Sequence, residues 1–274
     1  MSAFDIIASM LRAQSGLCLT PDKDYLVTTR LEPILRRRGL RDLHALAARI
    51  NNDPILVTEV VDAMTTNETL FFRDGRPFDH LHAVLLPTLH RSHPPGMPIR
   101  IWSAAASTGQ EAYSIAMLVR EMGPALTGRP VEIIGTDISP TAIDRARKAV
   151  YSSFEVRRGL SAPMLAKYFQ KEGDGWRVVQ AVRDMVGFQQ TNLLSDLTSF
   201  GRFDIVFCRN VLIYFDPATK RKVLKAIAAQ MTQGAMLFLG GAETALGVTE
   251  DLLPCPGHHG VYVKQRQETR ALTR

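Results

Sequence analysis

The length and composition of the chain limit the classes of protein that it can form. Its 274 residues are 46% hydrophobic and 22% charged, a balance that supports a sizeable buried core and excludes a mainly disordered chain. No apolar run is long enough to cross a bilayer, and the start lacks a basic segment and a cleavage site, so we expect a cytoplasmic protein. The three cysteines are far apart, which argues against a disulfide framework or structural zinc. The net charge of +6 permits an acidic partner, including nucleic acid.

Helical periodicity dominates the first 64 residues. Apolar residues at helical spacing predict four helices in a small bundle, with boundaries marked by Pro21, Gly39 and Pro54. At the end of the second helix the sequence is strongly basic, and we define the basic cluster as Arg30, Arg36, Arg37, Arg38 and Arg41. These cations either complement the helix dipole in solvent or form a docking face for an acidic partner.

The segment after the bundle, residues 65–78, mixes polar side chains with paired aromatic residues and follows no clean periodicity. Asn67, Thr69 and Arg73 are hydrogen-bonding residues placed where the bundle meets the next domain, which is a common location for a ligand site. In the alternative interpretation, Thr66 or Asn67 only caps a short helix that follows.

Residues 99–116 predict a buried strand that turns through small residues into a helix. This is the first β-turn-α unit of a doubly wound α/β fold, where ligands bind beyond the carboxyl end of the strand. The turn lacks the glycine pattern of a dinucleotide site, and Glu111 would repel phosphate. S-adenosylmethionine fits better, because its sulfonium and ammonium groups favour an acidic neighbour. A structural alternative, which can coexist, is a capping box of Thr108 and Glu111.

A second buried strand, residues 131–137, ends in an acid. In this fold a carboxylate at that tip accepts hydrogen bonds from both ribose hydroxyls, and Asp137 has this position. The alternative is that Asp137 caps the helix that begins near Pro140. This is less favoured, because Ser139 can supply that cap.

The rest of the chain completes the sheet and adds an inserted lobe. A Gly-Asp-Gly turn at 173–175, with strands predicted at 176–179 and 185–188, indicates a small antiparallel lobe. Other apolar runs predict the end of the third main strand at 192–194 and further strands at 203–208, 235–239 and 260–264. We expect Gly234 to end the helix that starts at Lys220. Because His258 and His259 lack further ligands at suitable spacing, we predict no metal site.

Five ordered blocks resemble the successive motifs of the bacterial chemotaxis-receptor glutamate O-methyltransferases, the CheR family. They are TNETLFFR at 66–73, SAAASTGQEAYSIA at 103–116, GTDIS at 135–139, NLL at 192–194 and FCRNVLIYF at 207–215. The resemblance covers nearly the whole chain. The second block departs from the family pattern, since relatives often have Cys, Glu and Pro where this chain has Ala106, Gln110 and Ala112.

The resemblance implies the Rossmann-like fold of S-adenosylmethionine-dependent methyltransferases, with an N-terminal helical bundle and a small antiparallel β insert. It implies a receptor-contacting helical domain at 1–66 and a linker at 67–98 that carries the Asn-x-Thr-x-x-x-Arg motif. A catalytic domain follows at 99–274, with the β subdomain inserted at about 152–186.

The resemblance also implies functional residues. Contacts to S-adenosylmethionine are implied at Asn67, Thr69, Arg73, Glu111, Asp137, Asn192, Leu193, Arg209 and Asn210. Arg73 and Tyr214 are expected to face the reacting groups. The helical bundle is expected to touch the receptor, and the basic cluster then becomes the candidate partner-binding surface. The insert can bind receptor tails, although its turn at 173–175 is shorter than in members that grip a receptor's carboxyl-terminal pentapeptide.

The implied reaction is methyl transfer from S-adenosylmethionine to the γ-carboxylate of glutamates in the cytoplasmic helical domain of membrane chemoreceptors, for adaptation in chemotaxis. The products are a methyl ester and S-adenosylhomocysteine. A glutamate carboxylate is ionised at neutral pH, so the protein need not supply a general base. We expect a monomer that does not insert into the membrane.

Two other functions compete with this one. The basic composition suggests a nucleic-acid methyltransferase, but the loop after the fourth strand lacks an Asp/Asn-Pro-Pro-Tyr-type motif, and stacking aromatics interleaved with basic residues are missing. We therefore expect no nucleic-acid partner. The other alternative is a binding module that holds the cofactor or the receptor without turnover.

Overall fold

A computed structural model describes residues 2–126 and 128–265 of the chain. The predicted catalytic domain runs to residue 274, so its last nine positions, 266–274, lie outside the described residues. None of the described helices combines the length and the apolar character that crossing a bilayer requires.

The described residues before position 65 form the predicted helical bundle. Its helices are α1 (Ala3–Ser15), α2 (Asp24–Arg38), α3 (Leu43–Ile50) and α4 (Pro54–Met64). Their ends follow local chemistry: Asp42 and Asp53 accept hydrogen bonds from backbone N–H groups in the first turns of α3 and α4, and Gly39 ends α2 in a left-handed conformation. A separate apolar core holds the four helices together.

The connection from the bundle to the sheet contains an irregular loop and a broken helix. The helix consists of α5 (Arg76–His80), a π-helical turn (Leu81–Leu85) and α6 (Leu86–Ser92). The suggested capping of a short helix by Thr66 or Asn67 is wrong, because Phe71 to Asp74 form turns. Phe72 and Asp74 have left-handed φ angles of 50° and 68°, which a helix excludes.

The rest of the described chain contains ten strands and six α-helices. The strands are β1 (Ile99–Ala104), β2 (Val131–Asp137), β3 (Val150–Ser152), β4 (Phe169–Glu172), β5 (Gly175–Val178), β6 (Val186–Gln190), β7 (Phe203–Cys208), β8 (Met231–Leu239), β9 (Leu252–Pro254) and β10 (Val261–Lys264). The helices are α7 (Gln110–Met122), α8 (Pro140–Lys148), α9 (Ser153–Arg157), α10 (Ala162–Tyr168), α11 (Gln180–Arg183) and α12 (Pro217–Ala229).

In the described part of the chain, seven strands form the main sheet in the order β6-β2-β1-β7-β8-β10-β9. The first five strands in this order, β6, β2, β1, β7 and β8, are parallel to one another. Strand β10 is antiparallel to its neighbours β8 and β9. Buried apolar layers cover both faces of the sheet, with Ile101 in one layer and Trp102 in the other. The strand order reverses between β1 and β7, so ligands are expected at the carboxyl ends of these strands. The predicted α/β fold with a helical bundle is confirmed.

A second sheet, in the order β3-β5-β4, is antiparallel and forms the predicted lobe. The assignment of residues 185–188 to this lobe is wrong. Residues 186–188 belong to β6, which pairs with β2 in parallel, with Phe188 opposite Gly135, and Met185 lies in the turn before it. Apolar periodicity marks a strand, but it does not identify the neighbour with which the strand pairs.

Two predicted boundaries also differ from the structure. The third main strand ends at Gln190, so residues 192–194 lie in the loop beyond it. Gly234 does not end a helix, because α12 stops at Ala229 and Gly234 lies inside β8 with a φ of 77°. Glycine permits this left-handed conformation within a strand, where it marks an irregularity.

Candidate functional site

A cleft of about 1030 Å³, its open mouth included, lies beyond the carboxyl ends of the parallel strands. The loops that follow β1, β2, β6 and β7 form one side of it, and the ends of α1 and α4 form the other. The structure brings all ten residues predicted for the cofactor and for catalysis to its wall: Asn67, Thr69, Arg73, Glu111, Asp137, Asn192, Leu193, Arg209, Asn210 and Tyr214. Their individual roles stay predictions.

Asp137 is held at the tip of β2 and is 7% exposed. Its carboxylate accepts hydrogen bonds from the backbone N–H groups of Ser107 at 2.8 Å and Ser139 at 2.9 Å. Burial raises the pKa of the Asp137 carboxyl above its usual value, against the lowering effect of these bonds. Ser139 caps α8 through the Ala142 N–H, which settles the choice of capping residue. Asp137 is therefore free of a capping role.

The turn between β1 and α7 lies next to Asp137, and two of its residues have a left-handed backbone conformation. Ala105 and Ser107 have φ angles of 61° and 53°. The Ser107 hydroxyl donates to the backbone oxygen of Asn67 at 2.9 Å, so this turn is bonded to the segment that follows the bundle. The suggested capping box of Thr108 and Glu111 is wrong, because Gly109 occupies the N-cap position and no side chain caps α7.

Glu111 points inward and joins a buried ion network. Its carboxylate accepts from the Ser103 hydroxyl at 2.8 Å and from Arg209 Nη1 at 3.0 Å. The Arg209 side chain is 2% exposed, and its Nη2 donates to the Asp74 carboxylate at 2.6 Å and to the Arg73 backbone oxygen at 2.9 Å. Arg209 therefore balances much of the negative charge that we expected Glu111 to present to a cation.

The loop that carries Arg73 is strained and closely packed. The residues on both sides of Arg73, Phe72 and Asp74, are left-handed, and such backbone persists only where surrounding contacts hold it. One such contact comes from the insert, where Gly159 packs directly against the Phe71 carbonyl group. Only glycine fits there, because a Cβ atom at position 159 would lie 1.8 Å from the Phe71 oxygen. The half-buried Arg73 donates to the Glu68 backbone oxygen at 3.1 Å.

Asn210, in the loop that follows β7, is also left-handed, with a φ of 60°. The buried Glu243 carboxylate accepts from the backbone N–H groups of Asn210 at 2.8 Å and Gly240 at 2.7 Å. Sequence reasoning missed Glu243 and Asp74. For Glu243 the available signal was an acid in the loop that follows β8, which is weak because it does not identify the partner; Asp74, in the loop between α4 and α5, offered no such signal.

The bundle is bonded directly to the cleft. Asp62 of α4 accepts from the Ser139 hydroxyl and, at 2.6 Å, from the Thr141 hydroxyl. The Asn192 side chain donates to the backbone oxygen of Gln14 at 2.6 Å. Sequence reasoning did not predict Asp62, because its partners are more than seventy residues away.

The structure divides the basic cluster into two parts. Arg30 donates to the backbone oxygens of Met64 at 2.8 Å and Thr65 at 3.2 Å, so it holds the wall of the cleft. The other four form ion pairs: Arg36 with Glu32, Arg37 and Arg38 with Glu59, and Arg41 with Asp42. Of these, Arg36 and Arg41 have the most exposed side chains, at 76% and 85%.

Within residues 2–126 and 128–265, no group of three or more His, Cys, Asp or Glu side chains has a geometry that could hold a metal ion. His258 lies beside His80, with ring centroids 3.9 Å apart.

Comparison with known proteins identifies the chain at the level of family. A model described as CheR methyltransferase, all-alpha domain matches residues 2–65, and one described as CheR methyltransferase, SAM binding domain matches residues 67–261. Chemotaxis protein methyltransferase Cher2 of Pseudomonas putida is 41% identical over 253 residues, which cover 90% of this chain and 92% of that protein. Chemotaxis protein methyltransferase 1 of Vibrio cholerae is 42% identical over 247 residues, or 88% of each chain.

The fold and these matches define the class of protein, an S-adenosylmethionine-dependent methyltransferase. The chain belongs to the CheR methyltransferase family.

The residues of the cleft fit S-adenosylmethionine. Asp137 presents a buried carboxylate whose oxygens have lone pairs left after the two backbone bonds, as a ribose diol requires. The left-handed Ala105 and Ser107 leave only small side chains beside it. Amide side chains from Asn67, Asn192 and Asn210 add neutral donors and acceptors around the wall.

A pH titration tests the role of Asp137. Burial raises its pKa, so this carboxyl takes up a proton at a higher pH than an ordinary aspartate, whose pKa is about 4. The protonated form accepts hydrogen bonds less well, and we expect the affinity for S-adenosylhomocysteine, measured by calorimetry, to fall as the pH falls through this raised pKa. Asp137→Asn should bind about 10–100-fold more weakly, through loss of a charge-assisted hydrogen bond, and without this pH dependence. An unchanged pH dependence in the variant would contradict the assignment.

Proposed function

We propose that this protein transfers the methyl group of S-adenosylmethionine to the γ-carboxylate of glutamates in the cytoplasmic helical region of membrane chemoreceptors, for adaptation in chemotaxis. One observation carries the proposal: Arg73 and Tyr214, assigned to the acceptor, share a single cleft with Asp137, assigned to the cofactor. The names of the relatives, chemotaxis protein methyltransferases, support it. The proposed site of action is the cytoplasm.

The chemistry of this reaction asks mainly for positioning. S-adenosylmethionine supplies an electrophilic methyl group on a positively charged sulfur. The acceptor is an ionised carboxylate at neutral pH, so no side chain has to remove a proton from it. The protein must align the carboxylate oxygen with the methyl group and remove part of its water shell.

Arg73 is the proposed anchor for the acceptor carboxylate. Its guanidinium carries five N–H donors, and among the described residues it donates to the backbone oxygen of Glu68. Other donors are left for a charge-assisted bond to one carboxylate oxygen. Tyr214, in the 3₁₀ turn after β7, is proposed to orient the second oxygen or to border the methyl group. Its backbone oxygen accepts from the Cys18 N–H at 2.9 Å, which fixes this turn against the bundle.

Arg73→Ala tests the anchor. We expect methyl transfer to fall about 10–100-fold, because a hydrogen bond between two charged groups is lost. The measurement is transfer of labelled methyl groups to receptor-rich membranes. Arg91→Ala, which removes an exposed arginine of α6, is the matched control and should leave the rate unchanged. A rate close to wild type in Arg73→Ala would refute the role, and labelling of RNA in place of receptor would favour the nucleic-acid alternative.

Asp74 is proposed as a positioning residue that acts through Arg209. Arg209 holds both the Asp74 carboxylate and the Arg73 backbone oxygen, and these bonds fix a loop with left-handed residues on both sides of Arg73. Asp74 does not line the cofactor cleft. Loss of its charge should therefore displace Arg73 while leaving the cofactor wall in place.

For Asp74→Asn we expect kcat for receptor methylation to fall about tenfold, since a charged hydrogen bond is weakened, with little change in affinity for S-adenosylhomocysteine. Asp74→Glu should recover part of the rate. Asp79→Asn, a change at an exposed acid of the next helix, is the control. Equal losses in kcat and in cofactor affinity would show that Asp74 supports the whole cleft rather than Arg73.

The basic cluster is proposed to dock an acidic receptor helix. Changing Arg37 or Arg38 to glutamate would place the new carboxylate against that of Glu59 and so weaken the bundle. Arg36 and Arg41 are the better probes. Their reversal to glutamate also opposes carboxylates, at Glu32 and Asp42, but these are 55% and 39% exposed against 26% for Glu59, and surface ion pairs contribute little to stability.

The double variant Arg36→Glu with Arg41→Glu should raise the KM for receptor about tenfold at low salt, because charge complementarity governs the encounter, and the effect should shrink as salt rises. Affinity for S-adenosylhomocysteine should not change. Lys222→Glu, an exposed change on α12, serves as the control. Unchanged receptor methylation in the double variant would leave the cluster as an ordinary solvated helix end.

A further inference from the structure

The insert meets the wall of the cofactor cleft beside the Arg73 loop. Glu68 lies on this wall, and its backbone oxygen accepts from Arg73 at 3.1 Å. Its carboxylate oxygen Oε1 lies 3.8 Å from Nη2 of Arg158, the residue that directly follows α9 of the insert. Glu68 therefore contacts both the proposed acceptor anchor and the insert. We define the rim as residues 68–73 together with residues 154–159.

Buried packing holds the two halves of the rim together. Gly159 packs against the Phe71 carbonyl group, and the Phe71 ring meets that of Tyr151 edge to face, with centroids 5.0 Å apart. Phe71 and Tyr151 are almost fully buried. The backbone of Arg158 is therefore placed next to the Arg73 loop by these contacts and does not depend on the ion pair with Glu68.

The ion pair between Glu68 and Arg158 is loose. Their side chains are 69% and 43% exposed, and 3.8 Å is too long for a hydrogen bond. Exposed pairs of this kind contribute about 0–1 kcal/mol to stability. Another carboxylate that reaches the rim can therefore replace Glu68 as the partner of Arg158 at little cost.

The charge of the rim favours an acidic partner. Arg157 is exposed and forms no ion pair within the part of the chain that the structure describes. With Arg73 and Arg158 it places three guanidinium groups against the single carboxylate of Glu68. The neighbouring acid of α9, Glu155, is paired with an arginine of α8 and leaves this surplus of positive charge in place.

An aromatic side chain lies beside these cations. Phe154 of α9 is 69% exposed, and the guanidinium carbon of Arg158 lies 5.4 Å from the centre of its ring. Aromatic residues and arginine are enriched in protein interfaces, where they often supply much of the binding energy. The rim therefore has the composition of a docking surface for a protein segment.

The size of a helix brings the acceptor to this surface. An α-helix with its side chains is about 10–12 Å across, so a helix that extends one glutamate to Arg73 keeps its backbone outside the cleft, against the rim. Residues three or four positions further along lie on the same helix face, with Cβ atoms about 5–6 Å apart. A second carboxylate on that face comes within reach of Arg158.

We propose that Arg158, with Phe154 beside it, is a specificity-determining residue that binds a second carboxylate on the acceptor helix, on the same face as the methylated glutamate. Glu68 competes with that carboxylate for Arg158. This inference rests on the proposed function, since it takes the acceptor to be a glutamate on an acidic helix. The occupant of the rim is the acceptor helix itself and not the carboxyl-terminal tail of the receptor.

The test measures methylation of receptor-rich membranes at low salt and saturating S-adenosylmethionine. Arg158→Gln should raise the KM for receptor about tenfold, because a hydrogen bond between charged groups is lost, and should leave kcat and the affinity for S-adenosylhomocysteine unchanged. Glu68→Gln should lower this KM about twofold to threefold, because the competing carboxylate, held by an exposed ion pair, is removed. Lys225→Gln, an exposed change on α12, is the control, since α12 packs on the other face of the sheet from the insert.

Opposite shifts of KM in the two variants are the expected signature. An equal rise in both would show that the ion pair only supports the rim, and would overturn the inference. The Arg158→Gln effect should persist with receptor that lacks its carboxyl-terminal tail, and its disappearance would assign Arg158 to the tail instead. A wild-type KM in Arg158→Gln would refute this inference alone, whereas absence of methyl transfer by the wild-type protein would refute the proposed function with it.

Discussion

The geometry of the cleft depends on the buried guanidinium of Arg209. It joins three segments that are distant in the chain: the start of α7 through Glu111, the loop of Arg73 and Asp74, and the loop after β7, to which Arg209 itself belongs. A buried ion network adds little net stability, because desolvation offsets most of the attraction, but removal of one partner leaves an uncompensated charge. The value of this network is therefore geometric, since it fixes the start of α7 relative to the Arg73 loop.

Backbone strain is concentrated around the same cleft. Of the six non-glycine residues with left-handed φ among those described, five belong to the loops around it: Phe72, Asp74, Ala105, Ser107 and Asn210. Such conformations cost about 1–2 kcal/mol each and persist where other bonds determine them. Those bonds are present here: the Ser107 N–H donates to Asp137, the Asn210 N–H donates to Glu243, and the Asp74 carboxylate accepts from Arg209.

The helical bundle is part of the cleft rather than an attachment to it. Val61 and Met64 of α4 lie on its wall, and Asp62 is bonded to the loop that follows Asp137. Arg30 connects α2 to the same wall through the backbone oxygens at the end of α4. Helix α2 carries four of the five arginines of the basic cluster, and through Arg30 it is bonded directly to the backbone that leads into Asn67 and Thr69.

The sequence by itself determined the helical bundle and the parallel strands of the main sheet, and its resemblance to a family implied the ten residues that meet at the cleft. Strand tips in an open parallel sheet converge whatever the loops do, so Asp137 and Asn210 could be placed together from their positions after apolar runs. Local spacing failed where the partner was remote. Thr108 and Glu111 have the spacing of a capping box, yet Glu111 bonds to Arg209, 98 residues later, and residues 186–188, predicted in the lobe, pair with β2 in the main sheet. Only the tertiary structure could decide the partners of Asp62, Asp74 and Glu243, because a side chain's partner depends on which loops packing brings together, and no local pattern records that.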